Sequence, residues 1–161
     1  MAGSFASTLL QVAPLASSSA ALICSVCQQV TMAAFLGHKV PPQARRDLWY
    51  PFFVNYKNIV YVSSPSHLTT ITTCLLNYYF SNAPSVWWLV CVAFVVGHAH
   101  PLQKGIKLLS LTAAEWESKT MPETRAWFQD FVDINQRRLL LVDLPGWLCV
   151  VATVVTALRS V

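Results

Sequence analysis

Between Gln129 and Val150 the chain reads QDFVDINQRRLLLVDLPGWLCV, and the residue types most able to do chemistry gather there. Asp130, Asp133, Arg137 and Arg138 lead into an apolar run holding one more acid, Asp143, with Pro145 just beyond. A carboxylate inside an apolar span costs about 2.5–3.5 kcal/mol on insertion scales, so such a group turns toward a partner or a wet cavity. On a helix Asp133 and Arg137 are i, i+4 neighbours, and Asn135 and Arg138 are i, i+3 neighbours. Asp143 lies about 80° around a regular helix axis from Asp133. Left in apolar surroundings with no cation, Asp143 would stay protonated and could serve as a general acid. Pro145 frees the Leu141 carbonyl as a further acceptor. His67, His98, Gln28 or Gln29, and Arg138 are the candidate partners of Asp143. The candidate catalytic set is therefore Asp143, Asp133, Arg137, Arg138, Asn135 and His67. A plainer alternative makes Asp130, Asp133, Arg137 and Arg138 a solvated helix end with arginines at the headgroups, which leaves Asp143 unexplained.

Residues of this kind need walls, and the composition says what the walls are. Charged residues are 11% of 161, against about 25% in soluble chains, while hydrophobic residues reach 55%. Too few polar side chains remain to cover a water-soluble surface. The expectation is a single all-α domain, an integral membrane four-helix bundle with spans at about 9–36, 59–80, 85–100 and 139–158. The net charge of +4 comes without a basic run or interleaved aromatics, so no nucleic-acid partner is expected. The five cysteines, Cys24, Cys27, Cys74, Cys91 and Cys149, lie in apolar segments, and their odd number argues against a disulfide framework. No cation stands near the Cys24–Cys27 pair to activate a thiol.

The first span is rich in small residues from Ala16 to Ala21, which permit close helix approach, and ends at Gly37 and Pro41-Pro42. Gln28 and Gln29 are adjacent, so at most one can face lipid. The 38–58 loop carries Trp49, Tyr50, Phe52 and Phe53, suited to a membrane–water interface. The second span is unusually polar, with Ser63, Ser64, Ser66, His67, Thr69, Thr70, Thr72 and Thr73, and Pro65 should kink it. Two roles are open to His67: an interhelical hydrogen bond, or a place in a substrate cavity. After the turn Ser81–Pro84, Trp87 and Trp88 read as interface anchors of the third span. His98 and His100 close that span, but residues two apart on a helix point about 200° apart and cannot share a metal. Ile106 to Leu111 with Lys104 and Lys107 suggest an amphipathic continuation, and Thr120-x-Pro122-Glu123 signals the last helix.

Ten of the eleven cations fall in two stretches: Lys39, Arg45, Arg46 and Lys57, then Lys104, Lys107, Lys119, Arg125, Arg137 and Arg138. With four spans these stretches share a side, which the positive-inside rule makes cytoplasmic. Both termini would then be lumenal, in the endoplasmic reticulum. No positive n-region precedes Leu9, so the first span is expected to be retained.

No phosphate loop, dinucleotide glycine pattern, nucleophile elbow or haem ligand arrangement occurs in the sequence. The chemistry expected is that of acids, bases and histidines, with no organic cofactor and no metal.

The layout resembles the small four-span membrane proteins related to anthrone oxygenases of fungal secondary-metabolite pathways. The likeness rests on an aromatic–x3–Asn/His–x2–Arg pattern in the last helix, matched by Phe131, Asn135 and Arg138. It implies an enzyme acting within the membrane on a lipophilic polyketide or isoprenoid. Three functions compete. The first is acid/base epoxide opening, by hydrolysis or cyclisation, with Asp143 as acid and Asp133 as base. The second is a cofactor-independent oxygenase, in which a base makes an electron-rich anion that meets dioxygen. The third is a non-catalytic scaffold that holds other pathway enzymes at the membrane. The partners expected are a lipophilic small molecule, membrane lipids and those pathway enzymes.

Overall fold

The structure is a computed structural model that describes residues 2–37, 40–41, 43–44, 47, 60–80, 85–99 and 113–159. Among them every regular element is a helix. In chain order these are α1 (Ala2–Leu36), α2 (Val60–Phe80), α3 (Val86–Gly97), the short α4 (Ala113–Glu117) and α5 (Met121–Arg138). A π-helical turn (Leu139–Asp143) then carries α5 directly into α6 (Leu144–Arg159).

α1 begins before Leu9 because nothing in the Ala- and Ser-rich lead stops a helix, and it ends at Gly37, whose N–H bonds back to the Ala34 carbonyl. Its Pro14 is fully buried and has no N–H to give the Leu10 carbonyl. Asn77 of α2 repairs that defect by donating to Leu10 O at 2.7 Å. A second tie between the two helices joins the Ser17 and Thr70 hydroxyls at 2.7 Å. Both contacts need the close approach that small side chains allow.

α2 is polar in composition but largely self-satisfied. Ser66, Thr70 and Thr73 donate to the carbonyls of Val62, Ser66 and Thr69 at 2.8, 2.9 and 2.7 Å. Hydroxyls that bond their own helix cost little in an apolar medium. The helix runs on through Pro65.

α1 packs on α2, α5 and α6; α2 also packs on α3, and α3 on α6. Two apolar cores result. Cys74, Trp88, Cys91, Val150 and Val154 fill the space between α2, α3 and α6. Trp88, only 1% exposed, is therefore a core residue; the anchor role expected of both tryptophans is open only to Trp87. The other core joins Met32 to Trp116, Trp127, Phe128, Phe131 and Val132, locking the end of α1 to α4 and α5. All five cysteines are free thiols.

Two helical stretches are long and apolar enough to cross a membrane, Phe5–Leu36 and Pro122–Arg159. α2 has the length but too many hydroxyls, while α3 is apolar but has 12 residues, about 18 Å of rise against a hydrocarbon core of about 30 Å. The last span is continuous with α5, which carries the charges expected to precede it. The aromatic cluster Trp49–Phe53, the 81–84 turn, His100 and the amphipathic piece after Leu102 lie outside the described residues, as do six of the ten paired cations.

Candidate active site

Pro145 cannot donate to Leu141, and the backbone ladder reorganises just ahead of it. The Leu144 N–H bonds back five residues, to Leu139 O, closing a π-helical turn. On a regular α-helix residues five apart diverge by about 140°. An i→i+5 turn brings them over one another, and so the Arg138 Nε comes to 3.4 Å from Asp143 Oδ2. The π turn makes this ion pair possible.

Asp143 Oδ1 takes the second contact. His98, at the end of α3, stands with its Nδ1 at 2.7 Å, a donor to the carboxylate. The His98 and Asp143 side chains are 13% and 7% exposed, so the pair is nearly enclosed. Ser25 of α1, also buried, faces the same carboxyl. His67 of α2 lies against His98, ring centroids 4.0 Å apart and planes tilted by 39°. Its Nδ1–H donates to the Ser63 carbonyl at 2.7 Å. With Nδ1 engaged on both rings, Nε2 is the nitrogen each imidazole has left for proton transfer.

Arg138 is fixed from the other side. Its Nη2 donates to Gln28 Oε1 at 2.8 Å and to Asn135 Oδ1, and Asn135 Nδ2 donates to Gln29 Oε1 at 3.1 Å. Both adjacent glutamines thus turn to the last helix and neither is spent on lipid. The network spans α1, α5 and the π turn.

A cavity of about 30 Å³ opens beside the pair, lined by His67, Thr70, Phe94, His98, Asp143 and Trp147 among others. That is room for a water-sized molecule. Trp147 Nε1 donates to Ser19 Oγ at 2.9 Å and so ties α6 to α1 along the cavity wall.

Of the six residues expected from sequence, Asp143, Arg138, Asn135 and His67 meet around this cavity or its supporting network. Asp133 and Arg137 do not. Asp133 accepts from Gln129 at 2.8 Å, and Asp133 and Arg137 line an open surface recess with Gln136, Leu140 and Leu141. The two-carboxylate pairing of Asp143 with Asp133 is therefore not made. Nor is Asp143 a lone acid in apolar surroundings, since Arg138 and His98 reach it. The sequence reading placed His98 among the partners of Asp143 but not in the catalytic set. Its signal was an ionisable residue at the end of an otherwise wholly apolar helix. Phe94 and Gly146 gave no signal. Among the described residues no three His, Cys, Asp or Glu side chains are grouped to hold a metal ion.

No protein-family model matches the chain. No solved structure matches it either. Over 160 residues it is 24% identical to a protein described as a probable epoxidase, scpX, of Mollisia scopiformis, spanning 93% of this chain and 96% of that protein. The likeness therefore runs nearly end to end in both.

Proposed function

We propose that this chain is a membrane-embedded tailoring enzyme of fungal secondary metabolism that oxygenates a lipophilic aromatic diol to an epoxide. The observation that carries the reading is the 2.7 Å contact of His98 Nδ1 with the nearly buried Asp143 beside a small cavity. A carboxylate that holds one imidazole nitrogen orients the other as a base, the arrangement that general-base sites use. The similarity to a probable epoxidase favours a reaction that makes an epoxide, and the last-helix resemblance to anthrone oxygenases favours dioxygen as its source.

The step balances without an added reductant. His98 Nε2 takes a phenolic proton, and the anion passes one electron to dioxygen. The radical pair joins to form a C–O bond, giving a peroxide on the ring. The bound peroxide oxygen closes on the neighbouring carbon as the O–O bond breaks, the second phenolic proton passing to the outer oxygen, which leaves as hydroxide. That hydroxide collects the proton from His98 as water, so diol and dioxygen become quinone epoxide and water. Arg138, 3.4 Å from Asp143 Oδ2, holds from behind the carboxylate that orients His98. The small cavity suits dioxygen as well as water.

Epoxide opening by two carboxylates is less well supported, because Asp133 stands on the outer surface. If opening is the reaction, His67 or His98 takes the place of the second acid. The membrane setting is part of the proposal: four spans, with α2 and α3 joining the two long apolar helices, in the endoplasmic reticulum with lumenal termini. Exposed Tyr61, Leu68, Val86 and Val96 on α2 and α3 support lipid contact for these two helices as well.

Microsomes carrying the protein, given an alkyl hydroquinone under ¹⁸O₂, should consume dioxygen and place one label in an epoxide product. Label entering from H₂¹⁸O when the epoxide itself is supplied would instead favour hydrolysis. Turnover of neither substrate above empty microsomes would leave the scaffold. Glycosylation acceptors engineered at the termini should be modified and those in the 38–58 loop should not; the reverse pattern would invert the orientation.

A further inference from the structure

Phe94 on α3 borders two spaces. On one side is the small cavity with His98 and Asp143. On the other is a groove of about 840 Å³ between α3 and α6, walled by Trp87, Val90, Leu148, Cys149 and Ala152. The two differ in what they can hold. The groove falls within the range of about 300–1,000 Å³ typical of small-molecule sites, whereas the cavity is far below it.

Across from Phe94 is Gly146. A Cβ built there would stand 2.8 Å from Phe94 Cβ, closer than such atoms tolerate, and 3.3 Å from Cγ. The α6 backbone therefore presses directly on Phe94, and at this level the ring is the partition. Its neighbours along α6 that face the groove, Leu148 and Ala152, are both exposed and fill none of it. Trp87 at one end and Phe94 at the other offer aromatic faces to a flat ring system.

We propose that the α3–α6 groove seats the lipophilic body of the substrate, entering sideways from the bilayer, and that Phe94 is the door between this seat and the His98–Asp143 pair. Continuity through a single side chain distinguishes this groove from a furrow that lipid tails merely cover. A rotation of Phe94 joins the two spaces, so the reacting hydroxyl reaches His98 while the rest of the molecule stays in the groove. The inference takes its substrate class from the reading above, but the location of binding can be measured without turnover.

The probe is 4-hydroxybenzophenone, a lipophilic phenol that cross-links on illumination. With the full chain in nanodiscs, labelled peptides are mapped by mass spectrometry. Saturable labelling is expected on the groove walls around Val90 and Leu148–Ala152, exceeding that at outward-facing Ile23, a lipid-exposed reference. Ala152→Trp on α6 and, independently, Val90→Trp on α3 should each cut groove labelling by about tenfold, as expected of a blocked seat. His98→Ala, which removes the base, should leave it unchanged. Phe94→Ala should add labels at Val142 and Trp147, on the cavity side. Equal labelling at Ile23 and in the groove, or labelling indifferent to both tryptophan variants, would overturn the seat. Cavity labels that do not respond to Phe94→Ala would overturn the door. Groove labelling without oxygen uptake would retain this inference and remove the oxygenase reading. Oxygen uptake with labels elsewhere would do the reverse.

Discussion

Asp133 and Asp143 sit ten residues apart on one continuous helix and have opposite surroundings. Asp133 is held by its own neighbour Gln129 and lines an open recess with Arg137. Asp143 is held by residues of other elements, His98 of α3 on one oxygen, with Arg138 facing the second. Each acid has an arginine nearby, so composition does not separate them. What separates them is helical phase, and phase here is set by the π turn. The general lesson is that a charge in an apolar run earns a role from what lies across the bundle, which local spacing does not report.

The largest expected effect tests that contrast directly. Asp143→Asn keeps the shape and removes the charge that orients His98, so turnover should fall by about 10²–10⁴-fold, the usual span for general acid–base groups. Asp133→Asn should leave turnover unchanged. Dioxygen uptake by the two variants in matched nanodiscs measures both. Equal losses would place Asp133 back in the chemistry, and no loss in either would remove acid–base catalysis by this helix.

The arginines sharpen the same comparison through stability. Arg138→Ala strands a nearly buried carboxylate and unties Gln28 and Asn135, which should cost about 3–5 kcal/mol, typical of a broken buried pair. Arg137→Ala, on the exposed face, should stay within about 0.5 kcal/mol. Thermal unfolding in detergent, followed by tryptophan fluorescence, compares the two. Similar melting shifts would mean that Arg138 is not a structural member of the site.

Much of this was legible before any coordinates. The charge deficit pointed to apolar helices, two of which are long enough to cross a membrane, the capping signal at Thr120 opened α5 where expected, and Asp143 stood out as costly. Arg138 and Asn135 could be proposed because they lie one turn apart. The rest depended on distant pairings. That His98 would meet Asp143 requires knowing that α3 crosses beside the π turn. Asn77 answering Pro14 is a repair across 67 residues or so of chain, invisible to local patterns. The π turn has no local signal, because a regular 100° step carries the pattern through Pro145 while the ladder slips there by one residue.

That slip can be tested by deletion. A π turn is an α-helix with one residue too many, and Leu141, 71% exposed, is the residue whose removal disturbs no packing. Deleting Leu141 should return the turn to α geometry with Arg138 and the acid four apart, still facing one another. Most turnover should survive. Deleting Leu148, also exposed but within regular α6, should not be tolerated, because it turns Val150 and Val154 about 100° out of their core. Size-exclusion profiles and oxygen uptake of the two deletions separate the outcomes, and loss of the site on deleting Leu141 would mean the π geometry itself is required.

The smallest effect concerns a third carboxylate of the same helix, one that faces water. Glu123 Oε2 accepts from the Thr120 hydroxyl and the Thr120 backbone N–H, both at 2.7 Å, closing the capping box that starts α5. These bonds, the hydroxyl first and the backbone N–H next, with Lys119 adding its charge, hold the Glu123 carboxyl below the usual glutamate range. A depressed value in the folded state fixes the sign. The stabilisation is fully present above the unfolded value of about 4.3 and is lost as pH falls through the lower folded value. Glu123→Gln should therefore lower the melting temperature slightly at pH 7, and the gap should close as pH falls through the depressed folded value. Because this group is open to solvent, added salt should shrink the Lys119 part of the difference and spare the hydrogen-bonded part. Melting curves from pH 7 to pH 3 at two ionic strengths measure it, and a gap that widens toward acid would contradict the capping assignment.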